Sequence, residues 1–458
     1  MIAHGYAADE KHAADLALNA GLDMEMTSKT YDNHVKALLK EGKVKVEQID
    51  FLVRNILRVK FQLNLFEKPY RLKSHTGNLY APEHLEKAKA AAIKSSVLLK
   101  NKKNILPLAT TTKVAVIGPL ADAPREQLGT WTFDGEKEHS VTPLKAFTDA
   151  KASFSFVKTL THSRDNSQKE FEAAVTAAEE ADVVVVFAGE EAILSGEAHS
   201  RANIDLPGAQ EALIKALAKT GKPIVLVIMA GRPITITNII DDVDAVLMAW
   251  HPGTMAGPAL YDIIYGESEP QGRLPVTWPK TSGQLPLFYN HKNTGRPSSS
   301  ESFVQMDDIP VGAWQSSLGN TTHYLDAGFT PHFPFGYGLG YTSFTLNDLQ
   351  LSKTELTKTE TLEVTVTIKN TGKKAGEEVV QLYIQDKVGS LTRPVKELKR
   401  FKRVKLNAGE TKAVTFSLTA KDLEFVNNTM KPVLEAGEFN VYVGQHAATG
   451  LMKTFTLK

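Results

Sequence analysis

The first 66 residues have apolar positions at helical spacing. The pattern predicts helices at 9–19, 31–40 and 46–65, with an extended stretch at 22–26. In the last helix the apolar positions recur every three or four residues and form one face, at Ile49, Leu52, Val53, Ile56 and Leu57. Such a face needs a packing partner.

From residue 82 the pattern alternates between helix and strand. Helices are predicted at 82–99, 167–181 and 207–220, and strands at 114–117, 182–187, 224–230 and 245–249. Continuous Val and Ile runs between amphipathic helices are typical of a mainly parallel sheet covered on both faces. We therefore expect an α/β sandwich over residues 82–279, preceded by a polar linker at 67–81.

The C-terminal part has apolar residues at every second position. Short strands are predicted at 362–368, 378–385, 414–418 and 438–443, separated by turn-forming clusters. This arrangement favours an antiparallel β-sandwich over residues 341–458. Between the two sandwiches, residues 280–340 are rich in Gly, Ser, Asn and Pro and are too numerous for a simple connection.

Length, charge and hydropathy exclude several classes of function. The 458 residues suggest about three domains at the usual 100–200 residues each. With 53 basic and 52 acidic residues the net charge is +1, which predicts no nucleic-acid or anionic-membrane partner. No apolar run approaches the roughly 20 residues of a spanning helix, and the first residues do not resemble a signal peptide.

Cofactor and metal motifs are also missing from the sequence. Cysteine is absent, which excludes disulfides and thiol nucleophiles but is compatible with cytoplasm or periplasm. The glycines at 336, 338 and 340 do not have the dinucleotide-binding spacing, and no H-E-x-x-H or calcium loop occurs. We therefore predict neither a cofactor nor a metal.

One loop concentrates acid/base groups. The buried strand that ends near residue 187 runs directly into residues 189–201, which contain Glu190, Glu191, Glu197, His199 and Arg201. Loops that follow buried strands are where α/β proteins place chemistry. From spacing alone, a solvated connection is an equally good interpretation.

Motifs in this loop and elsewhere resemble glycoside hydrolase family 3, in particular its bacterial periplasmic β-glucosidases. The loop motif is Ser195-Gly196-Glu197-Ala198-His199-Ser200-Arg201, followed by Asp205-Leu206-Pro207. The others, in family order, are Ser96-Val97-Leu98-Leu99-Lys100-Asn101 with Leu106-Pro107-Leu108, Val114-Ala115-Val116-Ile117-Gly118-Pro119-Leu120-Ala121-Asp122, Gly231-Arg232-Pro233, Gly272-Arg273-Leu274-Pro275, and Phe333-Pro334-Phe335-Gly336-Tyr337-Gly338-Leu339.

The resemblance implies a domain order. Family members begin with a (β/α) barrel that carries the nucleophilic aspartate and most sugar-binding side chains, and this sequence lacks the aspartate segment. Residues 1–66 are then an incomplete barrel remnant, since a barrel of this type takes about 250 residues. The resemblance further implies that residues 280–340 wrap between domains and that residues 341–458 form a fibronectin type III-like domain.

The resemblance also implies a reaction. The expected activity is hydrolysis of terminal non-reducing β-D-glucosyl residues of glucosides or oligosaccharides, by retaining double displacement with Glu197 as general acid/base. The missing N-terminal barrel segment is an expected partner, and a homodimer is left open. A periplasmic or secreted location is implied, and the chain alone is expected to be inactive because the nucleophile is missing.

His199, Arg201 and Trp131 each have a functional and a structural interpretation. His199 and Arg201 either orient the glutamate or contact a sugar hydroxyl, although an ion pair of Arg201 with Asp205 would equally well fix the loop. Trp131 either stacks on an aglycone ring or packs. Glu190 is predicted to be a structural hydrogen-bond acceptor.

Three further points complete the predictions. Glu191 is a weaker catalytic candidate than Glu197, and neither Asp23 nor Glu25 is expected to be catalytic. The alternatives for function are a β-xylosidase or another exo-glycosidase of the same family, and a non-catalytic or truncated fragment. Among these, an N-acetylglucosaminidase is disfavoured, because that group typically uses a histidine in the barrel and lacks the β-sandwich.

Overall fold

The computed structural model describes residues 1–70, 79–315 and 319–458. The chain divides into two compact units, Met1–Leu79 and Tyr80–Lys458, here the first and second units. Most of the predicted linker at 67–81 lies outside the described residues.

The first unit is helical where it is described. Its helices are α1 (Glu10–Asn19), α2 (Thr30–Lys40) and α3 (Val46–Gln62). They enclose a small apolar core of Ala14, Leu18, Leu38, Val44 and Leu52. The three predicted helices are confirmed, with α3 ending three residues early, while the assignment of this unit to a barrel stays a prediction.

The extended stretch predicted at 22–26 does not pair as a strand. The side chain of Glu25 accepts hydrogen bonds from the Ser28 hydroxyl and from the backbone N–H groups of Thr30 and Tyr31 at the start of α2. The Ser28 bond is the main reason that the pKa of Glu25 is lowered. Asp23 accepts a bond from the Asn55 amide. The Glu25 bonds therefore cap α2, and the Asp23 bond ties the same stretch to α3.

The apolar face of α3 is only partly covered. Leu52 is buried in the small core, whereas Val53 is 45 % exposed. Ile49 packs against the core and Leu57 is exposed. The predicted stripe therefore exists, but it extends beyond what α1 and α2 can cover.

The second unit begins with an α/β sandwich. Its helices are α4 (Pro82–Ser95), α5 (Pro143–Asp149), α6 (Phe171–Glu179), α7 (Gln210–Ala218) and α8 (Ala256–Tyr265). Its strands are β1 (Val97–Asn101), β2 (Val114–Ile117), β3 (Phe154–Val157), β4 (Val183–Gly189), β5 (Ile224–Met229) and β6 (Ala245–Met248). The sheet order is β1-β6-β5-β4-β2-β3. Only β1 is antiparallel among the strands of this sheet. The mainly parallel sheet is confirmed.

Alternate residues of the central strands enter two separate cores. Val184 and Val186 of β4 pack with α6 and α7, whereas Val185 and Phe187 pack with α5 and α8. Burial on both faces explains the continuous apolar runs in the sequence. It also directs the ends of the strands, rather than their faces, toward solvent.

The predicted helix at 82–99 was wrong in its second part. Helix α4 ends at Ser95, and the next residue is extended, with φ −66° and ψ 132°. The Ser96 hydroxyl donates to the Ala92 carbonyl at 2.8 Å, which satisfies the end of the helix. Residues 97–99 are then buried as a strand beside β6. A short apolar run does not distinguish helix from strand, because both can bury it.

The C-terminal part is an antiparallel β-sandwich, as predicted. Its elements are β7 (Phe344–Leu351), β8 (Glu355–Leu356), β9 (Thr361–Asn370), β10 (Gly376–Asp386), β11 (Glu397–Leu406), β12 (Thr411–Thr419), α9 (Ala420–Leu423), β13 (Phe425–Val426), β14 (Pro432–Val433), β15 (Gly437–Gly444) and β16 (Leu451–Leu457). One sheet has the order β11-β10-β15-β16-β8 and the other β12-β9-β7. Strands β7, β11 and β16 were not predicted, and β11 alternates poorly because many of its residues are basic.

Buried polar contacts join the two sandwiches. The Arg273 guanidinium lies 2.7 Å from the Glu378 carboxylate, and both side chains are almost fully buried. The Gln381 amide donates to the Gly336 carbonyl at 3.0 Å. Two of the sequence motifs, at 272–275 and 333–339, therefore contribute to the seam between the α/β part and the β-sandwich.

No helix in the described ranges combines the length and apolar character needed to cross a bilayer.

We predict that the first unit is the more labile of the two. Mild proteolysis should remove residues 1–66 before it cuts within residues 82–458, because the first unit has one small core while the second has three extensive ones. The exposed side of α3 should also bind a hydrophobic dye. Mass spectrometry of the digest and dye fluorescence measure both effects. Equal protease resistance of the two regions in a dye-silent monomer would contradict this.

Candidate active site

The site begins where β4 leaves the sheet. Gly189 has φ 142°, and a Cβ at this position would lie 1.9 Å from the Met229 carbonyl oxygen of β5. Only glycine permits so close an approach of two backbones. The next N–H group, that of Glu190, donates to the same carbonyl at 2.9 Å. Residues 190–205, here the β4 loop, thus start at a rigid point on the carboxyl edge of the sheet.

The Glu190 carboxylate is buried between two arginines. The residue is 1 % exposed. One carboxylate oxygen lies 2.5 Å from Nη1 of Arg201, and the other lies 3.0 Å from Nε of Arg232. The Ser195 hydroxyl donates to the second oxygen at 3.2 Å. Two cations and a hydroxyl thus compensate the burial of one anion. We name Glu190, Arg201 and Arg232 the arginine clamp.

Both arginines also bind backbone carbonyls of the β4 loop. Arg201 donates from Nη2 to the Asp205 carbonyl at 2.9 Å. Arg232, which follows β5, donates to the Leu194 carbonyl and to the His199 carbonyl, the latter at 3.0 Å. The clamp therefore holds the loop at its beginning, its middle and its end.

The ion pair considered for Arg201 was assigned to the wrong partner. Its guanidinium pairs with Glu190, and it contacts Asp205 only at the backbone carbonyl. The Asp205 carboxylate instead accepts a hydrogen bond from the Thr235 hydroxyl. The sequence distance of four residues suggested the nearer carboxylate, whereas the fold supplies a buried one eleven residues away.

Glu197 lies at the exposed part of the β4 loop. Within the described ranges its side chain has no hydrogen bond or ion pair, and the residue is exposed. The following residue, Ala198, has φ 60°, so the chain turns sharply there. His199 makes no hydrogen bond to Glu197 among the described residues, and its Nδ1 instead lies 2.6 Å from the Ile193 carbonyl oxygen. The carboxylate is therefore held on a fixed loop while its own oxygens are available.

Glu191 is committed to another partner. Arg164 donates two hydrogen bonds of 2.9 Å to its two oxygens, and the Ser163 hydroxyl adds one of 2.8 Å. These contacts, the Arg164 hydrogen bonds first, lower the pKa of Glu191 to about 2. A carboxyl group with so low a pKa is a poor proton donor near neutral pH.

Trp131 lies beside a cleft formed after β2. The cleft, here the β2 cleft, has a volume of about 740 Å³ and is lined by residues of 125–138 and 191–193. Its two sides are joined by the Glu126 carboxylate, which accepts a bond of 2.6 Å from the Ala192 N–H. Trp131 is 60 % exposed and meets Phe133 edge to face, with ring centroids 6.1 Å apart. Of these two rings Phe133 lines the cleft, and Trp131 stands next to it.

The predicted site residues are thus only partly brought together. Arg201 belongs to the arginine clamp, and His199 and Glu197 lie in the same β4 loop. Trp131 is in a different loop, and none of the four lines the β2 cleft directly.

Arg232 and His251 also lie at the site, although they were not predicted from the sequence as site residues. Arg232 belongs to a quoted motif, and its position directly after β5 was an available signal. His251 follows β6, and both of its ring nitrogens are buried without a hydrogen-bond partner among the described residues. Burial lowers its pKa, which favours the neutral imidazole. A Cβ at the position of Gly231 would lie 2.9 Å from His251 Nε2 and 2.5 Å from Ser195 Oγ.

Comparison with known proteins identifies the class. The glycosyl hydrolase family 3 C-terminal domain matches residues 96–341, and a fibronectin type III-like domain matches residues 378–447. The fold and the loop motif are thus those of a glycoside hydrolase. The chain belongs to glycoside hydrolase family 3, and the β-sandwich is its fibronectin type III-like domain. The finer domain boundaries stay predictions.

Several relatives resemble the chain over its whole length. The periplasmic β-glucosidase of Salmonella typhimurium is 37% identical over 100% of this chain, and a β-xylosidase of Formosa agariphila is 34% identical over 99%. A solved β-glucosidase from Listeria innocua, in complex with isofagomine, is 39% identical over 100% of the chain with a TM-score of 0.92. The chain spans 62% of the length of each of these three proteins.

We predict that the arginine clamp determines the stability of the β4 loop. Glu190→Ala leaves two guanidinium groups without their shared anion and should cost about 3 kcal/mol, at the lower end for a broken buried pair because both arginines are partly exposed. Thermal unfolding and hydrogen exchange of the Gly231 N–H, which donates to Ser195 Oγ, measure the effect.

The matched control is Glu191→Ala, in the same loop. Its partner Arg164 is about half exposed, so the loss should be about 0–1 kcal/mol. If the two variants lost equal stability, or if exchange at Gly231 did not change in Glu190→Ala, the clamp would not be what holds the loop.

Proposed function

We propose that this chain supplies the general acid/base, Glu197, of a retaining β-glycosidase that removes terminal non-reducing β-D-glucosyl residues. The observation that carries the proposal is the state of Glu197. It is an exposed carboxylate without a described partner, on a loop that the buried Glu190 clamp fixes at the carboxyl edge of a parallel sheet. A group that exchanges protons with substrate needs this combination of fixed backbone and unoccupied oxygens.

The other two carboxylates of the loop are less suitable. Both oxygens of Glu190 are occupied by arginine, and removing either partner would leave a buried charge. Arg164 holds Glu191 as an anion with a pKa of about 2. The fold thus assigns structural contacts to two glutamates and leaves the third free.

In the proposed mechanism Glu197 acts twice. It first donates a proton to the leaving glycosidic oxygen while a second carboxylate attacks the anomeric carbon. The bond from the anomeric carbon to the leaving oxygen breaks as the glycosyl-enzyme ester forms. It then takes a proton from the water that hydrolyses the ester. The two carboxyl groups must lie about 5–5.5 Å apart for this chemistry. We propose that the attacking carboxylate comes from a family barrel outside these 458 residues.

The names of the relatives support glucosides as substrates. The Listeria innocua enzyme was solved with glucose, and a mutant of it with laminaribiose. The β2 cleft beside Trp131 is a proposed aglycone site, since an aromatic ring can stack on a sugar or aryl group there. His199 is proposed to contact substrate through Nε2 and Arg201 through its remaining N–H groups, because the loop already occupies the other polar atoms.

A β-xylosidase is the second candidate. The observation that favours it is the 34% identity to the β-xylosidase of Formosa agariphila over 99% of the chain. We prefer the glucosidase because of the higher identity to two proteins with that name. Paired turnover of aryl β-glucoside and aryl β-xyloside decides between them.

Location and assembly are also proposals. A periplasmic or secreted location is supported by the name of the Salmonella relative. A homodimer is proposed on the family resemblance, and light scattering tests it.

We predict that these 458 residues alone have no useful turnover of aryl β-glucosides, because general acid catalysis alone contributes about 10²–10⁴-fold and the proposed nucleophile belongs to the barrel. Joined to a family barrel, the chain should hydrolyse the same substrate. The control is the same fusion with Glu197→Ala. Turnover by the pure isolated chain at the level of the fusion would overturn the division of roles.

We also predict a leaving-group dependence in that fusion. Glu197→Ala should slow aryl glucosides with basic leaving groups far more than those with acidic ones, since only a basic oxygen requires a proton in the transition state. Azide should partly restore turnover as a glucosyl acceptor. Glu172→Ala, an exposed glutamate on α6, is the control and should not change activity. If Glu197→Ala were fully active and Glu190→Ala inactive without loss of stability, the wrong carboxylate would have been named.

A further inference from the structure

A second cavity lies in the long segment between the two sandwiches. It has a volume of about 530 Å³, and its walls come from residues 284–298 and 322–329. We name it the segment cavity. Its size falls within the range of about 300–1,000 Å³ typical of small-molecule sites. None of its lining residues lies in the β4 loop or the β2 cleft.

Hydrogen bonds hold the walls in place, although the wall segments are mostly irregular and pair only through isolated β-bridges. The Thr322 N–H donates to the Arg296 carbonyl at 2.8 Å, and Tyr324 and Gly328 exchange two backbone bonds of 3.1 and 2.7 Å. The Lys280 ammonium donates to the Ala327 carbonyl at 2.9 Å. The first of these bonds joins the two wall segments, and the others hold the 322–329 segment in its turn and to Lys280.

An aromatic cluster supports the same wall from behind. The ring of Phe303 lies edge to face with His323 and with Phe329, at centroid distances of 5.2 and 5.9 Å. The His323 Nδ1 lies 2.9 Å from the Ser298 hydroxyl. Packing and hydrogen bonding therefore hold the rings in place.

The lining combines apolar surface with amide, hydroxyl and imidazole groups. It contains no aspartate, glutamate, lysine or arginine. An ionic ligand would lose water without gaining a counter-charge, which is unfavourable. A purely apolar ligand would cover amide and hydroxyl groups without satisfying them, which is also unfavourable. The lining therefore favours a neutral ligand with many hydroxyl groups.

Groups suited to such a ligand are available in the cavity. The side chains of Asn293, Thr294 and Thr322 have no hydrogen-bond partner among the residues that the structure describes. The ring of Tyr324 is 50 % exposed and that of Phe329 is 40 % exposed. A sugar ring has an edge of hydroxyl groups and a face of C–H groups, which match amides and aromatic rings respectively.

We infer that the segment cavity is a second carbohydrate site, which binds a neutral oligosaccharide through the Tyr324 ring and the Asn293 amide. This goes beyond the proposed hydrolysis, because binding here needs neither Glu197 nor a nucleophile. The site can hold a sugar chain on the enzyme while another part of the molecule performs the cleavage.

The test is binding of laminaritriose, a neutral β-linked trisaccharide, to the full 458-residue chain. Saturation-transfer NMR and calorimetry detect the complex. Tyr324→Ala should weaken binding about tenfold, equivalent to about 1.4 kcal/mol. Asn293→Ala, at an exposed side chain, should weaken it less, and Tyr324→Phe should retain most of it. The matched control is Phe288→Ala, an exposed ring of the same segment outside the cavity.

Three outcomes would overturn the inference. One is unchanged binding in both Tyr324→Ala and Asn293→Ala. Another is loss of binding in Trp131→Ala alone, which would place the sugar beside the β2 cleft. The third is equally tight binding of trigalacturonate, which would contradict a neutral ligand. If Tyr324→Ala unfolded by circular dichroism, Asn293→Ala would carry the test. None of these results depends on turnover, so failure here is distinguishable from failure of the proposed hydrolysis.

Discussion

The buried Glu190 carboxylate organises the candidate site. One anion between two guanidinium groups fixes a loop of sixteen residues that contains no helix or strand of its own beyond one short turn. The stabilisation that these ion pairs provide depends on their burial, because ion pairs exposed to water contribute little. The arrangement also connects neighbouring strands, since Glu190 follows β4 and Arg232 follows β5. The loop is therefore as well positioned as the sheet itself.

The sheet explains why these groups meet. Parallel strands end at one edge, so the loops after β2, β4, β5 and β6 lie side by side there. Strands β4 and β5 are buried along their whole length, so the polar groups at this edge come from the loops that follow them. The buried pair of Arg273 and Glu378 attaches the β-sandwich to the same unit.

Much of this architecture was predictable from apolar periodicity. The runs that became β2, β4 and β5 were found because both of their faces are buried. By contrast the start of β1 was assigned to a helix, since three apolar residues beside α4 suit either structure, and β11 was missed because basic side chains mask its alternation. In the candidate site, the family motif singled out Glu197, whose role stays a prediction, while spacing alone suggested Asp205 as the partner of Arg201. Long-range pairing is decided by the fold, and no local pattern contains it.

The three glutamates of the β4 loop show why sequence could not rank them by chemistry. All three are glutamates within eight residues, and their side chains are chemically identical. Their environments separate them: Glu190 is buried and shared by two arginines, Glu191 is held as an anion by Arg164, and Glu197 has no described partner. A carboxyl group that must both release and accept a proton cannot be strongly stabilised in one state. The absence of a strong partner at Glu197, within the described chain, is thus the feature that suits it for the proposed acid/base role, and the arginine clamp is what holds its loop in place.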